Sequence, residues 1–266
     1  MMTTNPQADE LNQILFRNNP AIPEMLSKKG KRIYFPQKGI LAQSADAKGK
    51  DINVTIGIAH EEDNSPMIFP TLAKMVPLPL SEAFTYAPSY GKPEMRKMWL
   101  EKMRVKNPSL KDCTISLPVV TCALTHGLSL CGYLFLDERD VLISPDLFWE
   151  NYRLIFENAY GAKIKTFPAF TRQGHFNVKG LQKQIQQQKS KKIVIILNFP
   201  NNPTGYTVTV SEAQEIVNLV TEEAKKGKKL VVLIDDAYFG LVYEEGIIQE
   251  SIFCSLCNAH KNILAV

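Results

Sequence analysis

Two polar clusters follow apolar stretches of the chain, and their residue types suit the binding of a polar ligand. The first runs from Asn198 to Gly205 (Asn-Phe-Pro-Asn-Asn-Pro-Thr-Gly), directly after the apolar run Ile193–Leu197. The second is Asp235–Tyr238 (Asp-Asp-Ala-Tyr), which follows the apolar run Leu230–Ile234. Open α/β sheets place their ligand sites at the carboxyl ends of the strands. We therefore expect both clusters to face the same crevice.

Asp235, Asn202 and Tyr238 are the side chains in these clusters whose chemistry is most informative. A carboxylate at the end of a buried strand needs a cationic or hydrogen-bond-donating partner, and a protonated pyridine nitrogen is such a partner. The amide of Asn202 can donate to a phenolate oxygen, and Tyr238 can reach the same oxygen if its segment turns into a helix. Two plainer interpretations remain open. Asp235 could be a helix N-cap or a metal ligand, and Asn202–Gly205 could simply be a tight loop.

The elements that must position these clusters alternate along the chain. Apolar runs predict strands, and stretches with helical spacing separate them. Strands that are apolar throughout and alternate with helices predict an α/β fold with a largely parallel sheet covered by helices on both faces. The predicted strands are 115–121, 141–144, 163–167, 193–198, 230–234 and 262–266, and the predicted helices are 11–26, 125–136, 150–159, 178–188, 211–226 and 239–243. The first ten residues are predicted to be an extended arm or a frayed terminus, and 52–58 a short strand or an extended crossing.

Composition narrows the class of protein. With 45% apolar and 22% charged residues among 266, the chain can bury a large core and is not a disordered polypeptide. The net charge of +4 comes from scattered basic residues and short lysine runs at helix ends. This distribution favours a surface exposed to solvent over a surface that binds nucleic acid.

No apolar run is long enough for a membrane partner to be expected. Five cysteines, an odd number, predict reduced thiols in the cytoplasm, and Cys254–Cys257 is interpreted as chance spacing.

Taken together and in this order, the Asn-rich Pro-Thr-Gly loop and the Asp-x-Ala-Tyr segment resemble the active site of class I/II pyridoxal 5'-phosphate-dependent aminotransferases. These are the aspartate aminotransferase-like enzymes of fold type I. The resemblance implies pyridoxal 5'-phosphate as cofactor and an amino acid and a 2-oxo acid as substrates. It also implies roles for several residues: Asp235 for the ring nitrogen, Tyr238 and Asn202 for the phenolic oxygen, Trp149 for the ring face, Ala123 and Leu124 for the phosphate, and Gly57 with Asn202 for the substrate.

The resemblance extends to a segment before the first large-domain helix and implies a dimer. Tyr86–Arg96 is similar to a Tyr-x-Pro-x-x-Gly-x-x-x-x-Arg segment whose tyrosine reaches the phosphate in the neighbouring subunit, so Tyr86 is a candidate contact within a homodimer. The implied domains are an N-terminal arm (1–15), a partial small domain (16–60) and an incomplete cofactor-binding large domain (61–266). The break at Glu61–Pro66 marks the expected boundary.

Three positions depart from the family pattern. Cys122 stands where the phosphate loop usually begins with Gly or Ser, and Leu124 lacks a side-chain donor. Backbone N–H groups at the helix start remain available for a phosphate, which the helix dipole also favours. Tyr152 stands where a histidine frequently supports the aspartate in aspartate-specific members, so the substrate class stays open.

The family's reactive lysine has no counterpart among the residues that the motifs identify. Lys261 precedes the last predicted strand and is therefore expected at the sheet edge opposite the crevice. The resemblance places the Schiff-base lysine beyond Val266, so a truncated, inactive N-terminal portion of an aminotransferase is expected. Two alternatives are a pyridoxal-phosphate-dependent lyase or decarboxylase and a non-catalytic binding or interaction protein of the same fold. A third alternative is an unrelated phosphate-binding α/β domain.

Overall fold

The protein is described by a computed structural model that covers residues 5–34, 40–53, 55, 57 and 59–266. It divides into two compact units, Met1–Pro88 and Ser89–Val266. The division falls after Pro88, later in the chain than the predicted boundary at residue 60. The assignment of 1–15 and 16–60 to an arm and a small domain stays a prediction.

The first unit consists of short helices. They are α1 (Pro6–Asn18), α2 (Ala21–Met25), α3 (Ile40–Asp46), α4 (Pro70–Ala73), α5 (Leu80–Ala83) and a 3₁₀ turn at Gly30–Arg32. The extended or frayed conformation predicted for the first ten residues is wrong from residue 6 onward, because Asn5 caps α1 by accepting from the Gln7 N–H at 2.9 Å and Pro6 occupies the first turn. The single helix predicted over 11–26 is two helices. Asn19 is extended and accepts from the Ala21 N–H, so the backbone turns between them.

The second unit contains the sheet. Its strands are β1 (Val141–Pro145), β2 (Lys163–Phe167), β3 (Lys192–Asn198), β4 (Lys229–Asp235) and β5 (Ile263–Ala265). They pair in the order β2-β1-β3-β4-β5, and every pairing is parallel. The predicted parallel α/β sheet is confirmed.

Helices cover both faces of this sheet. The unit also contains α6 (Pro93–Lys106), α7 (Ala123–Phe135), a π-helix (Arg153–Ala159), α8 (Val178–Gln187), α9 (Val210–Lys225), α10 (Phe253–Leu256) and a 3₁₀ turn at Pro108–Leu110. On one face, Ile195 packs in a core that includes Leu181 of α8 and Ile216 of α9. On the other face, Ile196 packs in a core that includes Leu128 of α7 and Phe156 of the π-helix. Successive residues of β3 therefore enter opposite cores, which explains why the strand is apolar throughout.

The strand predicted over 115–121 is wrong. This segment has no strand partner in the described part of the chain. Its carbonyls at Leu117 and Pro118 instead accept from the Arg96 guanidinium, at 3.3 and 2.6 Å, and the Val120 N–H donates to the Tyr90 carbonyl at 3.1 Å. An apolar run forms a strand only where a neighbouring strand offers a ladder, and Pro118 removes one donor.

Two other predicted elements also differ. The helix predicted over 239–243 is a pair of turns, because Gly240 has φ of 86° and ends any helical path there. The predicted strand at 52–58 lies partly outside the described residues, and the described residues in it are not in a strand.

None of the helices in the described residues combines the length and hydropathy that a bilayer-spanning helix requires.

Candidate active site

The carboxyl ends of β3 and β4 form the centre of the candidate site. Asn198 and Asp235 are register partners in the parallel ladder. The Asn198 side-chain amide donates to the Asp235 carbonyl at 2.7 Å, and its Oδ1 accepts from the Asn202 N–H at 2.7 Å. One side chain thus joins the end of β4 to the loop after β3. Asn198 belongs to the motif that follows β3, but no local pattern in the sequence predicts this role for its side chain.

Asp235 is the buried acid of this site. Its side chain is 4% exposed. Its Oδ1 accepts from the Ala237 N–H at 3.2 Å, and its Oδ2 accepts from the Tyr152 hydroxyl. Burial, followed by the charge of Asp235 and this hydrogen bond, raises the pKa of Tyr152 well above its usual range. The proton therefore stays on Tyr152, and the carboxylate is oriented as an acceptor.

Tyr152 is held in place by other aromatic rings. Phe148 stacks parallel to it with ring centroids 6.0 Å apart, and Trp149 meets it edge-on at 5.8 Å. Phe156 lies at 5.9 Å on the same ring. These contacts fix the direction of the Tyr152 hydroxyl toward Asp235. The half-buried Trp149 contacts Tyr152, which in turn donates to the Asp235 carboxylate.

The loop after β3 brings Asn202 to Tyr238. The Asn202 side-chain amide donates to the Tyr238 hydroxyl at 3.4 Å, and Tyr238 is exposed. Asn201 closes the turn by accepting from the Thr204 N–H and hydroxyl, at 3.2 and 2.8 Å. The Phe199–Pro200 and Asn202–Pro203 peptides are cis. Two side chains predicted to share one ligand oxygen are therefore neighbours.

In the predicted phosphate loop, at Cys122–Leu124, two backbone N–H groups already donate to other atoms of the protein. The Cys122 N–H donates to His126 Nδ1 at 3.1 Å, and the Ala123 N–H donates to the Thr121 carbonyl at 3.0 Å. Ala123 has φ of 57°, a left-handed conformation that folds the chain back on itself at the start of α7. Leu124 is exposed. Two N–H groups that were expected to be free are thus bonded within the loop, and His126 is a participant that sequence reasoning missed.

Two further predicted residues belong to the first unit. The side chain of Tyr86 is 92% exposed, and Gly57 is exposed as well. The family resemblance also implies that Ile56 lies over the substrate, but Ile56 is outside the described residues. The roles of Tyr86 and Gly57 stay predictions.

Comparison with known proteins decides the family. The family described as "Aminotransferase class I and II" matches residues 54–266. The chain belongs to this aminotransferase family.

Individual relatives agree with this assignment. Aspartate aminotransferase from Pyrococcus horikoshii is 24% identical over 200 residues, which are 75% of this chain and 48% of that protein. Aspartate aminotransferase from Bacillus subtilis is 27% identical over 205 residues, which are 76% of this chain and 48% of that protein. A crystal structure of an aminotransferase from Anaerococcus prevotii superposes with a TM-score of 0.79 at 27% identity, covering 91% of this chain and 61% of that one. The fold is that of the fold type I aminotransferases, and the chain spans about half the length of the curated relatives it matches.

Members of this aminotransferase family use pyridoxal 5'-phosphate, and the residues at the ends of β3 and β4 fit it. A buried carboxylate with one oxygen bonded to Tyr152 and the other to a backbone N–H suits a protonated ring nitrogen, which would otherwise be costly to bury. The Asn202 and Tyr238 pair offers donors for a phenolic oxygen. The phosphate loop fits less well as it stands, because two of its N–H groups are already bonded.

Lys261 lies at the other end of the sheet. β5 runs parallel to β4 with Ile263 opposite Leu230, so Lys261 precedes the amino ends of both strands. Asp235 ends β4, and a strand of this length spans roughly 20 Å. Lys261 therefore cannot contact a ring bound at Asp235.

Asp236, the neighbour of Asp235, makes the free energy of unfolding of the protein depend on pH. Burial raises the pKa of Asp236 to about 6; the Ser251 hydrogen bond opposes the shift, and the charge of Asp235 adds to it. The folded protein thus holds a proton that the unfolded chain, with a value near 3.8, releases, so the free energy of unfolding falls as pH rises from about 4 to 6. We expect Asp236→Asn to remove this slope and to stabilise the fold by about 1 kcal/mol at pH 7.5.

Urea unfolding at pH 5 and pH 7.5 measures this effect. The matched control is Asp112→Asn, at an exposed position, which should leave the slope unchanged. An Asp236→Asn variant with the same pH slope as the wild type would contradict the prediction.

Proposed function

We propose that this chain is the N-terminal portion of a pyridoxal 5'-phosphate-dependent aminotransferase, which transfers an amino group from an amino acid to a 2-oxo acid. The observation that carries the proposal is the buried Asp235 carboxylate, oriented by Tyr152 and the Ala237 N–H at the end of β4. When bound, pyridoxal 5'-phosphate supplies an electron sink at its ring nitrogen. A carboxylate beside that nitrogen keeps it protonated and so keeps the sink effective.

The other residues of the proposed site bind and orient the ring. Asn202 and Tyr238 donate to the phenolic oxygen, with Asn202 also bordering the substrate, and Trp149 covers the ring face. Ala123 and Leu124 hold the phosphate through their backbone, which requires the Ala123 N–H to leave the Thr121 carbonyl. Tyr152 acts as a positioning residue, because its hydroxyl touches Asp235 and keeps its own proton.

The proposal extends to a homodimer in the cytoplasm. Tyr86 reaches the phosphate of the partner subunit, and Gly57 lies over the substrate. The high exposure of the Tyr86 ring in the single chain is consistent with a contact made between subunits. The odd number of cysteines supports a reducing compartment.

The test of the proposal has two parts. An open reading frame that continues after Val266 into a Ser/Thr-x-x-Lys-like segment, with a new 2-oxo acid detected by mass spectrometry from the complete polypeptide, supports the aminotransferase. Release of carbon dioxide, or of an eliminated group and ammonia with no new amino acid formed from the added 2-oxo acid, would instead indicate the decarboxylase or lyase. A stop codon after Val266 would favour the non-catalytic binding protein.

The 266-residue chain alone is expected to bind pyridoxal 5'-phosphate weakly. Lys261 lies at the other end of the sheet and cannot bind the cofactor covalently. The phosphate loop would also have to break its internal hydrogen bonds before it could bind the phosphate, which costs free energy. We expect a dissociation constant above about 100 µM by tryptophan fluorescence quenching, with pyridoxal, which lacks the phosphate, as the control ligand. Saturable binding in the low micromolar range without imine absorbance would contradict this expectation.

A further inference from the structure

The side chain of Asn198 makes two hydrogen bonds at the carboxyl end of β3, one to each of two separate segments. Asn198 and its register partner Asp235 are both buried. The Asn198 amide donates to the Asp235 carbonyl, and its Oδ1 accepts from the Asn202 N–H, both at 2.7 Å. These distances lie at the short end of the range for N–H···O bonds. One side chain therefore holds the end of β4 and the loop after β3 at the same time.

The bond from the Asn202 N–H ties the backbone of that loop to the sheet. Pro200 and Pro203 have no N–H, so the loop has few backbone donors with which it can be held. The half-buried Asn202 directs its side-chain amide to the Tyr238 hydroxyl at 3.4 Å. The Asn202 side chain thus extends from a backbone that Asn198 holds.

Asparagine is the side chain that suits this position. The Asp235 carbonyl needs a donor and the Asn202 N–H needs an acceptor, and a single neutral amide supplies both. An aspartate would place two acceptors and a buried charge between them, and an alanine would supply neither group. Either change leaves a buried backbone group without its partner.

We propose that Asn198 is a positioning residue of the cofactor site, which acts through Asn202 on the phenolic oxygen of pyridoxal 5'-phosphate. This inference rests on the proposed function, in which Asn202 and Tyr238 donate to that oxygen. Both ends of the Asn198 amide are bonded within the protein, so it acts through the Asn202 backbone and not by direct contact with the ring. Loss of Asn198 should therefore reduce the contribution of the phenolic oxygen to binding, as loss of Asn202 does.

Equilibrium dialysis of the 266-residue chain with two ligands tests the proposal. The probes are pyridoxine 5'-phosphate and its 3-deoxy analogue, which lacks only the phenolic oxygen. Neither ligand has an aldehyde that could react with lysines. We expect the analogue to bind the wild type about 10-fold more weakly, because it loses its hydrogen bonds at that position. In Asn202→Ala and in Asn198→Ala this ratio of dissociation constants should fall to about 3, with Tyr238 as the remaining donor.

The ratio separates positioning from a general loss of structure. Disturbance of Asp235 affects the contact with the ring nitrogen, which both ligands share, so it lowers both affinities and leaves the ratio unchanged. Asn177→Ala is the matched control, because Asn177 caps α8 with the same pair of bonds. Its amide donates to the Pro168 carbonyl at 3.0 Å, and its Oδ1 accepts from the Gly180 N–H at 2.9 Å. This variant should keep the wild-type ratio.

Hydrogen exchange in the wild type does not depend on whether any variant folds. The Asn202 N–H should exchange at least about 10-fold more slowly than in an unfolded peptide, and exchange at the unfolded rate would overturn the proposal. A wild-type ratio of about 10 that persists in Asn198→Ala would overturn the role of Asn198 alone. A wild type that binds both ligands equally, or neither, would overturn the proposed contact of Asn202 with the phenolic oxygen, and this inference with it.

Discussion

Replacing Asp235 by Asn is expected to lower the kcat/KM of the complete aminotransferase by about 10³-fold, which is about 4 kcal/mol of transition-state stabilisation. Asn keeps the size of the side chain but has no negative charge. The ring nitrogen would then lose the carboxylate that keeps it protonated, and with it the electron sink on which the proposed transfer depends. Steady-state assay of amino-group transfer, with circular dichroism to confirm folding, measures the effect.

Tyr152→Phe is the matched comparison for this variant. It keeps the packed ring between Phe148 and Phe156 and removes only the hydroxyl that Asp235 accepts from. Asp235 still accepts from the Ala237 N–H, so we expect a loss of only about 10-fold. Asp112→Asn, at the surface, should have no effect. Equal losses for Asp235→Asn and Tyr152→Phe would show that the two residues act as one unit, and an unchanged Asp235→Asn enzyme would refute the proposed role.

The second large effect concerns stability and centres on Glu212, whose carboxylate accepts hydrogen bonds from three other residues of the second unit. Glu212 is 6% exposed and accepts from the N–H groups of Phe176 and Thr209, both at 2.8 Å. It also accepts from the hydroxyls of Tyr206 and Thr209. The bond from the Thr209 N–H, together with the one that the Glu212 N–H donates to Thr209 Oγ1 at 3.2 Å, forms a capping box at the start of α9. Burial alone would raise the pKa of Glu212, but these hydrogen bonds outweigh it and lower the pKa.

Glu212→Gln is expected to lower the free energy of unfolding by about 3 kcal/mol at pH 7. The amide cannot accept at both of its terminal atoms, so at least two buried donors lose a charged acceptor. Urea unfolding followed by circular dichroism measures the loss. Glu215→Gln, at an exposed position on the same helix, should change stability by less than about 0.5 kcal/mol.

The pH dependence provides an independent check on Glu212. Its folded pKa is below the unfolded value of 4.5, so its contribution to stability is present above that value and is lost as pH falls. The difference between wild type and Glu212→Gln should therefore shrink as pH drops below about 4.5. A difference that stays constant down to pH 3 would mean that the carboxylate charge is not what stabilises this junction.

Several features of this protein were determined by the sequence alone, because they depend on local pattern. Apolar runs alternating with helical spacing predicted β1 to β5 within a few residues, and strand ends followed by Asn202 and Asp235 predicted where the polar residues gather. Turn chemistry acts over a few residues, so the loop that brings Asn202 to Tyr238 follows from its own prolines and Gly205. The family could be identified from these local motifs.

Other features were decided only by tertiary structure, because they join residues far apart in the chain. No local pattern in the sequence indicates that Tyr152 donates to Asp235 across 83 positions, or that Ser109 donates to Glu250 across 141. The apolar segment 115–121 forms no strand because a strand needs a partner, and partners are set by the whole sheet. Sequence determined which residues can do chemistry here, and long-range packing decided which of them are brought together.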